Sequence, residues 1–147
     1  MARKILEESF TFDDVLIRPV ASAIEPSEAS LKTRIAGIDL SLPILSAAMD
    51  KVTEAKMAIT LGKMGALGVL HRNCTVEEQV EMVHEVKRAG VPVAAACGPF
   101  AVDRALALDA AKCDAIVIDC AHGHNLKVLK SAAEIKKQLK HAKMIFG

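Results

Sequence analysis

The sequence predicts an α/β fold in which short buried strands alternate with amphipathic helices. The first observation is a set of five apolar runs, each too short and too rich in β-branched residues for a buried helix. They begin 24 to 27 residues apart and comprise Leu42–Ala48, Ala66–His71, Val91–Cys97, Ala115–Asp119 and Ala142–Phe146. The second observation is helical periodicity in the segments between them. Regular alternation of this kind is typical of consecutive βα units joined into a parallel sheet.

Two of the intervening segments show a clear helical pattern. Thr75 and Glu78 have the spacing of a capping box, in which each side chain bonds the backbone N–H of the other residue. An apolar stripe follows this box at Val76, Val80, Val83 and Val86. The later helix carries a similar stripe at Val128, Ala132, Ile135 and Leu139. Each stripe predicts a helix that packs one face against the sheet.

Two further segments, 53–63 and 100–112, fit helices less well. We expect Pro99 near the first turn of the second of them, where a missing N–H costs nothing. Gly65 and Gly90 stand where a helix C-terminus needs a residue that tolerates positive φ. The sequence therefore predicts four helices between five strands.

How the sheet closes stays open at this point, because an open doubly wound sheet and a barrel both fit. Doubly wound sheets usually carry a Gly-x-Gly-x-x-Gly turn after the first strand, and this sequence has none. The first forty residues differ in character: Phe10–Pro19 is apolar and acidic, and residues 22–30 are polar. We expect residues 1–40 to be an N-terminal extension that plugs the bottom of a barrel or crosses its outside. Residues 41–147 would then form the βα units of a single domain.

Composition and charge narrow the class of function. The chain has 147 residues, of which 52% are hydrophobic and 25% charged, with a net charge of +1, as in ordinary globular proteins. The interspersed charges give no basic surface for nucleic acid or an anionic membrane. We find no apolar run long enough to span a bilayer and no signal-peptide stretch at the N-terminus. We therefore expect a cytoplasmic protein with reduced cysteines, since its four cysteines form no Cys-x-x-Cys pair.

Polar residues that can bind ligands or take part in chemistry gather where the predicted strands end. Parallel α/β folds bind their ligands at the carboxyl ends of the strands. Those ends carry Ser46–Asp50, His71–Asn73, Cys97–Pro99 and Asp119–His124. A carboxylate at Asp119 can accept hydrogen bonds from two vicinal ribose hydroxyls. The four segments would meet at one rim, which favours a ligand site there.

These polar groups also have alternative interpretations. Asp50 or Asn73 can simply cap the next helix. Cys120, His122 and His124 share one parity in extended backbone, as a set of soft metal ligands would. The intervening glycine breaks that extension, and the sequence offers no second cluster to complete a tetrahedral zinc site. We therefore expect no metal.

Several motifs closely resemble the opening of IMP dehydrogenases. They are Thr11–Pro19 (TFDDVLIRP), Leu42–Glu54 (LPILSAAMDKVTE) and Gly68–Asn73 (GVLHRN). Two later stretches, Ala96–Pro99 (ACGP) and Val117–His124 (VIDCAHGH), match the same family. The resemblance runs in order over nearly the whole chain and is specific to the IMP dehydrogenase and GMP reductase superfamily. The His-Arg-Asn and Asp-x-Ala-His-Gly-His forms favour the dehydrogenase.

This resemblance implies a TIM (β/α)8 barrel, of which the chain is the first half: four βα units plus a fifth strand. It implies NAD-dependent oxidation of IMP to XMP in purine nucleotide (GMP) biosynthesis, usually by a homo-oligomer. Asp119 matches the aspartate that binds the NAD ribose in the family. The implied cofactor-binding residues are Asp119, Cys120, Ala121, His71 and Asn73, and the implied IMP-binding residues are Ser46, Ala47 and Met49.

Two departures from the family pattern change the expectation. Many members carry a pair of CBS domains between the second helix and the third strand, whereas here Lys87–Gly90 runs directly into Val91–Val93. The family's nucleophile is a cysteine in a glycine-rich loop after the sixth strand, and this chain ends before that loop. We expect no catalytic cysteine among the four present, with Cys74 and Cys97 as small buried hydrophobes. The isolated chain is therefore expected to be inactive.

Two other functions stay open. One is a GMP reductase fragment, which the missing CBS insertion permits and the His71–Asn73 form argues against. The other is a non-catalytic nucleotide-binding or assembly module. Half a barrel would leave two edge strands, and the barrel-facing side chains Ile44, Val69, Val93 and Ile116, or their neighbours, would lose packing partners. Because unprotected edges recruit other chains, we expect a homo-oligomer or aggregation.

Overall fold

A computed structural model describes residues 10–147 and divides the chain into two compact units. The first unit is Met1–Ser30 and the second is Leu31–Gly147. Within the first, short 3-10 turns form at Phe12–Asp14 and Pro26–Glu28. In the former, the Asp14 carboxylate accepts from the Thr11 backbone N–H at 2.8 Å. Across residues 10–147, no helix is long and apolar enough to cross a membrane.

The second unit is built on a four-stranded parallel sheet. Its strands are β3 (Gly68–Leu70), β4 (Val93–Cys97), β5 (Ala115–Ile118) and β6 (Lys143–Phe146), following an N-terminal hairpin of β1 (Thr33–Ile35) and β2 (Ile38–Leu40). The helices are α1 (Ala55–Lys63), α2 (Val76–Arg88), α3 (Val102–Ala110) and α4 (Leu126–Gln138). This α/β arrangement confirms the predicted fold class.

The order of the strands separates the two possible closures. Each parallel strand pairs with the one before it in sequence, in the order β3-β4-β5-β6. A doubly wound sheet reverses its strand order at a switch point, whereas a barrel adds every strand on the same side. The sheet is therefore part of a TIM barrel wall.

The two faces of the sheet bury different residues. On one face, side chains of all four helices pack against the strands; the cluster includes Leu70, Val83, Val93, Leu108, Ile116, Ile118, Val128 and Ile135. On the other face, Leu40 of the hairpin packs with Leu67, Val69, Ala94 and Ala115. Val69 thus lies on the barrel-facing side, as predicted. At the next two strands the expected neighbours face the barrel: Ala94 and Ala115 lie on that side, whereas Val93 and Ile116 lie in the helix-facing cluster.

The hairpin β1–β2 was not predicted from the sequence. Ala36 and Gly37 join its strands with φ of 48° and 79°, the left-handed geometry of a tight hairpin turn. Ala-Gly is a weak signal for this turn, since Asn or Asp usually takes the first position. Residues 33–40, expected to be part of an extension, therefore cover the barrel-facing side of the sheet.

The predicted first strand, Leu42–Ala48, is not a continuous strand. It makes one parallel bridge, between Leu45 and Leu67. Pro43 contributes no backbone N–H, and the Val69 N–H donates to the Ser46 hydroxyl oxygen at 3.0 Å instead of to a carbonyl. The strand ladder is therefore interrupted after a single bridge.

The helix predictions are mostly confirmed. Thr75 and Glu78 form the capping box, with hydrogen bonds of 3.1 and 2.8 Å. Gly65 and Gly90 adopt φ of 83° and 73° after α1 and α2. The placement of Pro99 was wrong: α3 begins at Val102, three residues later.

Asp109 is the main polar anchor of the helix layer. It lies near the end of α3, is 4% exposed, and accepts hydrogen bonds from the backbone N–H groups of residues 140, 141 and 142 at 2.7 to 2.9 Å. Burial disfavours its ionised form, yet these three donors outweigh burial and lower the pKa of the Asp109 carboxyl below its ordinary value. The carboxylate fixes the loop that leads from α4 into β6.

We predict that Asp109→Asn destabilises the fold by about 1–3 kcal/mol, because an amide offers one acceptor oxygen to three N–H groups. Since the folded pKa is lowered, the carboxylate's contribution is complete above the unfolded pKa and is lost as pH falls through the folded pKa. Urea unfolding from neutral to acidic pH measures both effects. The control is Asp39→Asn, an exposed partner of Arg34, which should change stability by less than about 1 kcal/mol. Equal effects of the two substitutions would contradict the role of Asp109.

Candidate functional site

The carboxyl ends of the parallel strands form one polar rim. His71–Asn73 follows β3, Gly98 and Pro99 follow β4, and Asp119 and Cys120 follow β5. The loop 46–50 reaches the same edge, because the Asn73 Nδ2 at the end of β3 donates to the Asp50 Oδ2 at 3.0 Å. All four predicted segments therefore contribute residues to this edge, as the sequence indicated.

Asp119 and Arg72 join two of these strand ends across β4. The Asp119 N–H donates to the Cys97 carbonyl at 3.0 Å, which extends the β4–β5 register by one residue. The Asp119 Oδ2 lies 3.4 Å from the Arg72 Nε, and the two side chains are 48% and 45% exposed. Gly98 lies close to Arg72, since a Cβ added to this glycine would be 3.7 Å from Arg72 Nη1. Asp119 is thus partnered and half open to solvent, not buried.

His71 is held in one tautomer by its own loop. It is 5% exposed, and its Nδ1 accepts from the Asn73 backbone N–H at 3.1 Å. Its backbone N–H donates to the Thr53 carbonyl at 3.3 Å. Because a neutral imidazole that accepts at Nδ1 carries its proton on Nε2, His71 presents a donor at Nε2.

Asp50 and Asn73 bond to each other. The Asn73 Nδ2 donates to the Asp50 Oδ2 at 3.0 Å. The residues at the N-caps of α1 and α2 are Glu54 and Thr75. The alternative in which Asp50 or Asn73 caps a helix is therefore wrong, and their contact ties loop 46–50 to the end of β3.

One cluster has the spacing of a metal site. Metal ligands in proteins are mostly His, Cys, Asp and Glu side chains. Within residues 10–147, one group of three of these has its ligand atoms within 4.8 Å of one another: Asp50, Glu54 and His71. Cys120, His122 and His124 do not converge in this way; the Cys120 Sγ contacts the Gly147 carbonyl oxygen at 3.3 Å. A histidine ligates a metal through an unprotonated nitrogen, and in His71 that nitrogen already accepts from the backbone.

The loop 46–49 is fixed through its backbone. The Ala47 carbonyl accepts from the fully buried Thr53 hydroxyl at 2.7 Å, and the Met49 carbonyl accepts from the N–H groups of residues 52 and 53 at 3.1 Å. Ala47 is exposed and Met49 is 60% exposed. The hydroxyl oxygen of Ser46 accepts from Val69. This loop can therefore offer its side chains to a ligand without refolding.

A shallow depression of about 490 Å³ lies beside this rim. Its lining consists of Lys51, Val52, Glu54, Lys56, Met57 and Thr60. It includes Glu54 of the cluster but neither Asp119 nor Arg72. The depression therefore lies at the start of α1 and not beside Asp119 at the end of β5.

The four cysteines are buried to different degrees. Cys97 and Cys113 are at most 1% exposed, and Cys74 is half-buried. Burial raises the pKa of the Cys74 and Cys97 thiols, and it raises that of Cys113 to about 12. The interpretation of Cys97 as a small buried hydrophobe is confirmed.

Sequence reasoning missed two residues behind the rim. Gln79 is fully buried in α2, and Arg104 of α3 donates to it at 2.7 Å. A signal was present, because a glutamine interrupts the stripe of Val76, Val80 and Val83 on the face that packs inward. Glu54 was also missed, since it was named only as the last residue of the Leu42–Glu54 motif.

The fold and the rim define a barrel-type α/β protein with a polar rim at the carboxyl ends of its strands. The chain belongs to the IMP dehydrogenase / GMP reductase domain family, whose model matches residues 9–147. This confirms the resemblance seen in the motifs.

Three relatives carry the name inosine-5'-monophosphate dehydrogenase. The protein from Korarchaeum cryptofilum is 58% identical over 83 residues, which are 56% of this chain and 17% of the relative. That from Methanocaldococcus jannaschii is 52% identical over 89 residues, 59% of this chain and 18% of the relative. That from Halalkalibacterium halodurans is 49% identical over 87 residues, 58% of this chain and 18% of the relative. The matches thus span less than a fifth of these relatives.

We predict that Cys113 resists alkylation in the folded chain. A pKa raised from 9.0 to about 12 lowers its thiolate fraction about a thousandfold at neutral pH, since each unit is a factor of ten. Iodoacetamide labelling, read for each cysteine by mass spectrometry, measures this. The control is the same chain unfolded in urea, and equal Cys113 labelling in both states would contradict the prediction.

Proposed function

We propose that the chain supplies the first four βα units and the fifth strand of an IMP dehydrogenase-type barrel, which oxidises IMP to XMP with NAD in GMP biosynthesis. The observation that carries the proposal is the rim, where Asp119, Arg72, Asn73 and the loop 46–49 meet at the carboxyl edge of one sheet. The named relatives favour this activity over others of the barrel fold. Residues 1–40 form the N-terminal extension, residues 41–147 the βα units, and α2 leads into β4 without CBS domains.

The geometry of Asp119 fits a ribose. Its carboxylate is 48% exposed and shares one oxygen with Arg72 at 3.4 Å, a distance longer than a strong charge-assisted hydrogen bond. An exposed ion pair of this kind is worth only about 0–1 kcal/mol, so two ribose hydroxyls can replace it at little cost. Asp119 would accept from the NAD ribose, and Cys120, Ala121, His71 and Asn73 would complete the cofactor side.

The loop 46–49 fits the substrate side. Ser46, Ala47 and Met49 would line the IMP pocket, with the backbone held by Thr53. NAD would accept the hydride that leaves the purine of IMP. The residues of this chain would bind and orient the two nucleotides. The four cysteines serve no nucleophilic role, and the isolated chain does not turn over.

We predict that the chain binds NAD and that Asp119→Asn weakens binding about tenfold, because an amide loses one of two acceptor oxygens. Isothermal titration calorimetry measures the dissociation constants, and NADH absorbance with IMP present tests for turnover. The control is Asp39→Asn, an exposed carboxylate on β2 of the hairpin.

The outcomes separate the candidate functions. NADH formation by the isolated chain would contradict its inactivity. Binding of NADPH and GMP in preference to NAD and IMP would favour a GMP reductase-type function, with which the direct connection from α2 to β4 is compatible. A non-catalytic sensing module would be favoured by a different result. Nucleotide binding would then be unchanged by Asp119→Asn, and the substrates of a full-length relative would not compete with it.

We also propose that the isolated chain forms homo-oligomers through its β6 edge. Within the described residues, β6 pairs on one side only, with β5. Phe146 on this strand is 38% exposed, and Ile44 and Leu45 at the opposite edge are 47% and 39% exposed. Such edges pair with other chains.

We predict that light scattering after size exclusion gives a mass above the 15.7 kDa monomer, and that Phe146→Glu lowers it by placing a charge on the edge. The matched control is Phe100→Glu, since Phe100 is 61% exposed but lies in the turn before α3. A stable 15.7 kDa monomer that unfolds cooperatively would contradict the proposal.

A further inference from the structure

Gln79 is a fully buried glutamine, and both polar atoms of its side-chain amide are hydrogen-bonded. Its Nε2 donates to the His71 carbonyl and to the Ala96 carbonyl, each at 2.9 Å. Its Oε1 accepts from Arg104 Nη1 at 2.7 Å. One side chain of α2 thus links the end of β3, the end of β4 and a helix of the next βα unit.

Arg104 extends this network to the loop after β3. Its Nη2 donates to the Cys74 carbonyl at 2.7 Å, and its Nη1 lies 3.4 Å from the Thr75 carbonyl. Together Gln79 and Arg104 occupy the carbonyls of residues 71, 74 and 75. The segment 71–75 is therefore clamped at both ends by side chains from outside it.

The two residues inside this clamp make the contacts of the rim. Arg72 pairs with Asp119 at 3.4 Å, and Asn73 donates to Asp50 at 3.0 Å. The Asn73 backbone N–H also fixes the tautomer of His71. Each contact depends on the path of the backbone between the two clamped ends.

Helix formation alone does not account for this network. The capping box of Thr75 and Glu78 already satisfies the start of α2, and Val83 and Val86 anchor the helix in the core. A buried apolar side chain at position 79 would pack without needing partners, whereas the buried amide of Gln79 must be fully bonded, and the half-buried Arg104 supplies one of its bonds. What the polar pair adds is control over three carbonyls of the loop.

We propose that Gln79 and Arg104 are positioning residues, which hold segment 71–75 so that Arg72 and Asn73 reach their partners across the rim. Their effect on nucleotide binding rests on the proposed function, whereas their effect on the loop does not. The closing experiment therefore has one arm without ligand and one with NAD.

The first arm uses NMR of the ligand-free chain. Gln79→Met removes all three hydrogen bonds, and Arg104→Lys keeps the charge but loses the fork that reaches two acceptors. In both variants we expect Asn73 N–H exchange about tenfold faster than in the parent chain, and His71 to populate both tautomers, because the loop opens locally. Gln138→Met on α4 and Arg88→Lys on α2 are matched controls at exposed positions, and they should change neither signal.

A purely stabilising role gives a different result. If the two residues only stabilise the fold, the variants should have a lower melting temperature. Below that temperature, the Asn73 N–H exchange rate relative to other loops and the His71 tautomer would be unchanged. That outcome overturns the proposal. Should Gln79→Met fail to fold, Arg104→Lys decides by the same signals.

The second arm measures NAD dissociation constants in a double-mutant cycle of Gln79→Met with Asn73→Ala. If Gln79 acts through the loop, the double variant loses less affinity than the product of the two single effects, because the two substitutions act on the same segment. Multiplying effects would overturn the proposal. Absence of NAD binding by the parent chain would refute the proposed function, and the first arm would still decide the role of Gln79.

Discussion

The pairing of four parallel strands in sequence order is the constraint on which the rest of this structure depends. Because β3 to β6 are added one beside the next, every crossover helix lies on the same face of the sheet. The other face is left for the hairpin β1–β2, which packs Leu40 against Leu67, Val69 and the alanines of β4 and β5. The same order places three strand ends along one edge, so residues 47 positions apart, Arg72 and Asp119, come within 3.4 Å.

The rim combines a rigid backbone with loosely held charges. Buried groups such as Thr53 and Gln79 bond to backbone carbonyls and fix the paths of the loops. The charged side chains at the surface, Asp119 and Arg72, bond to each other and remain about half exposed. Exposed ion pairs contribute little to stability, whereas a buried polar group that loses its hydrogen bond is costly. A ligand can therefore replace the contact between Asp119 and Arg72 without breaking the buried hydrogen bonds.

Close packing between α1 and the sheet constrains the same site from below. A Cβ on Gly68 would lie 2.4 Å from Ala58, so glycine at the start of β3 is needed for α1 to approach. The approach brings Glu54, at the N-cap of α1, near Asp50 and His71. The site thus depends on a residue with no side chain as well as on those that carry the chemistry.

The sequence by itself determined the repeating elements and the segments that form the rim. Periodicity located the four helices, and the Thr75–Glu78 box marked the start of α2, because these signals arise from neighbours within one turn of a helix. Motif resemblance gave the family, which the match over residues 9–147 confirms. The roles of the individual site residues stay predictions.

Only the tertiary structure decided which side of the sheet each residue faces and which polar groups bond to each other. The sequence left open whether Val93 and Ile116 or their neighbours Ala94 and Ala115 face the barrel, because a strand buried on both sides shows no alternation in its sequence. The hairpin at 33–40 and the broken strand at 42–48 depend on contacts with β3 that no local signal encodes. The network of Gln79 and Arg104 depends likewise on two helices packing side by side, and long-range packing of this kind exists only once the sheet has formed.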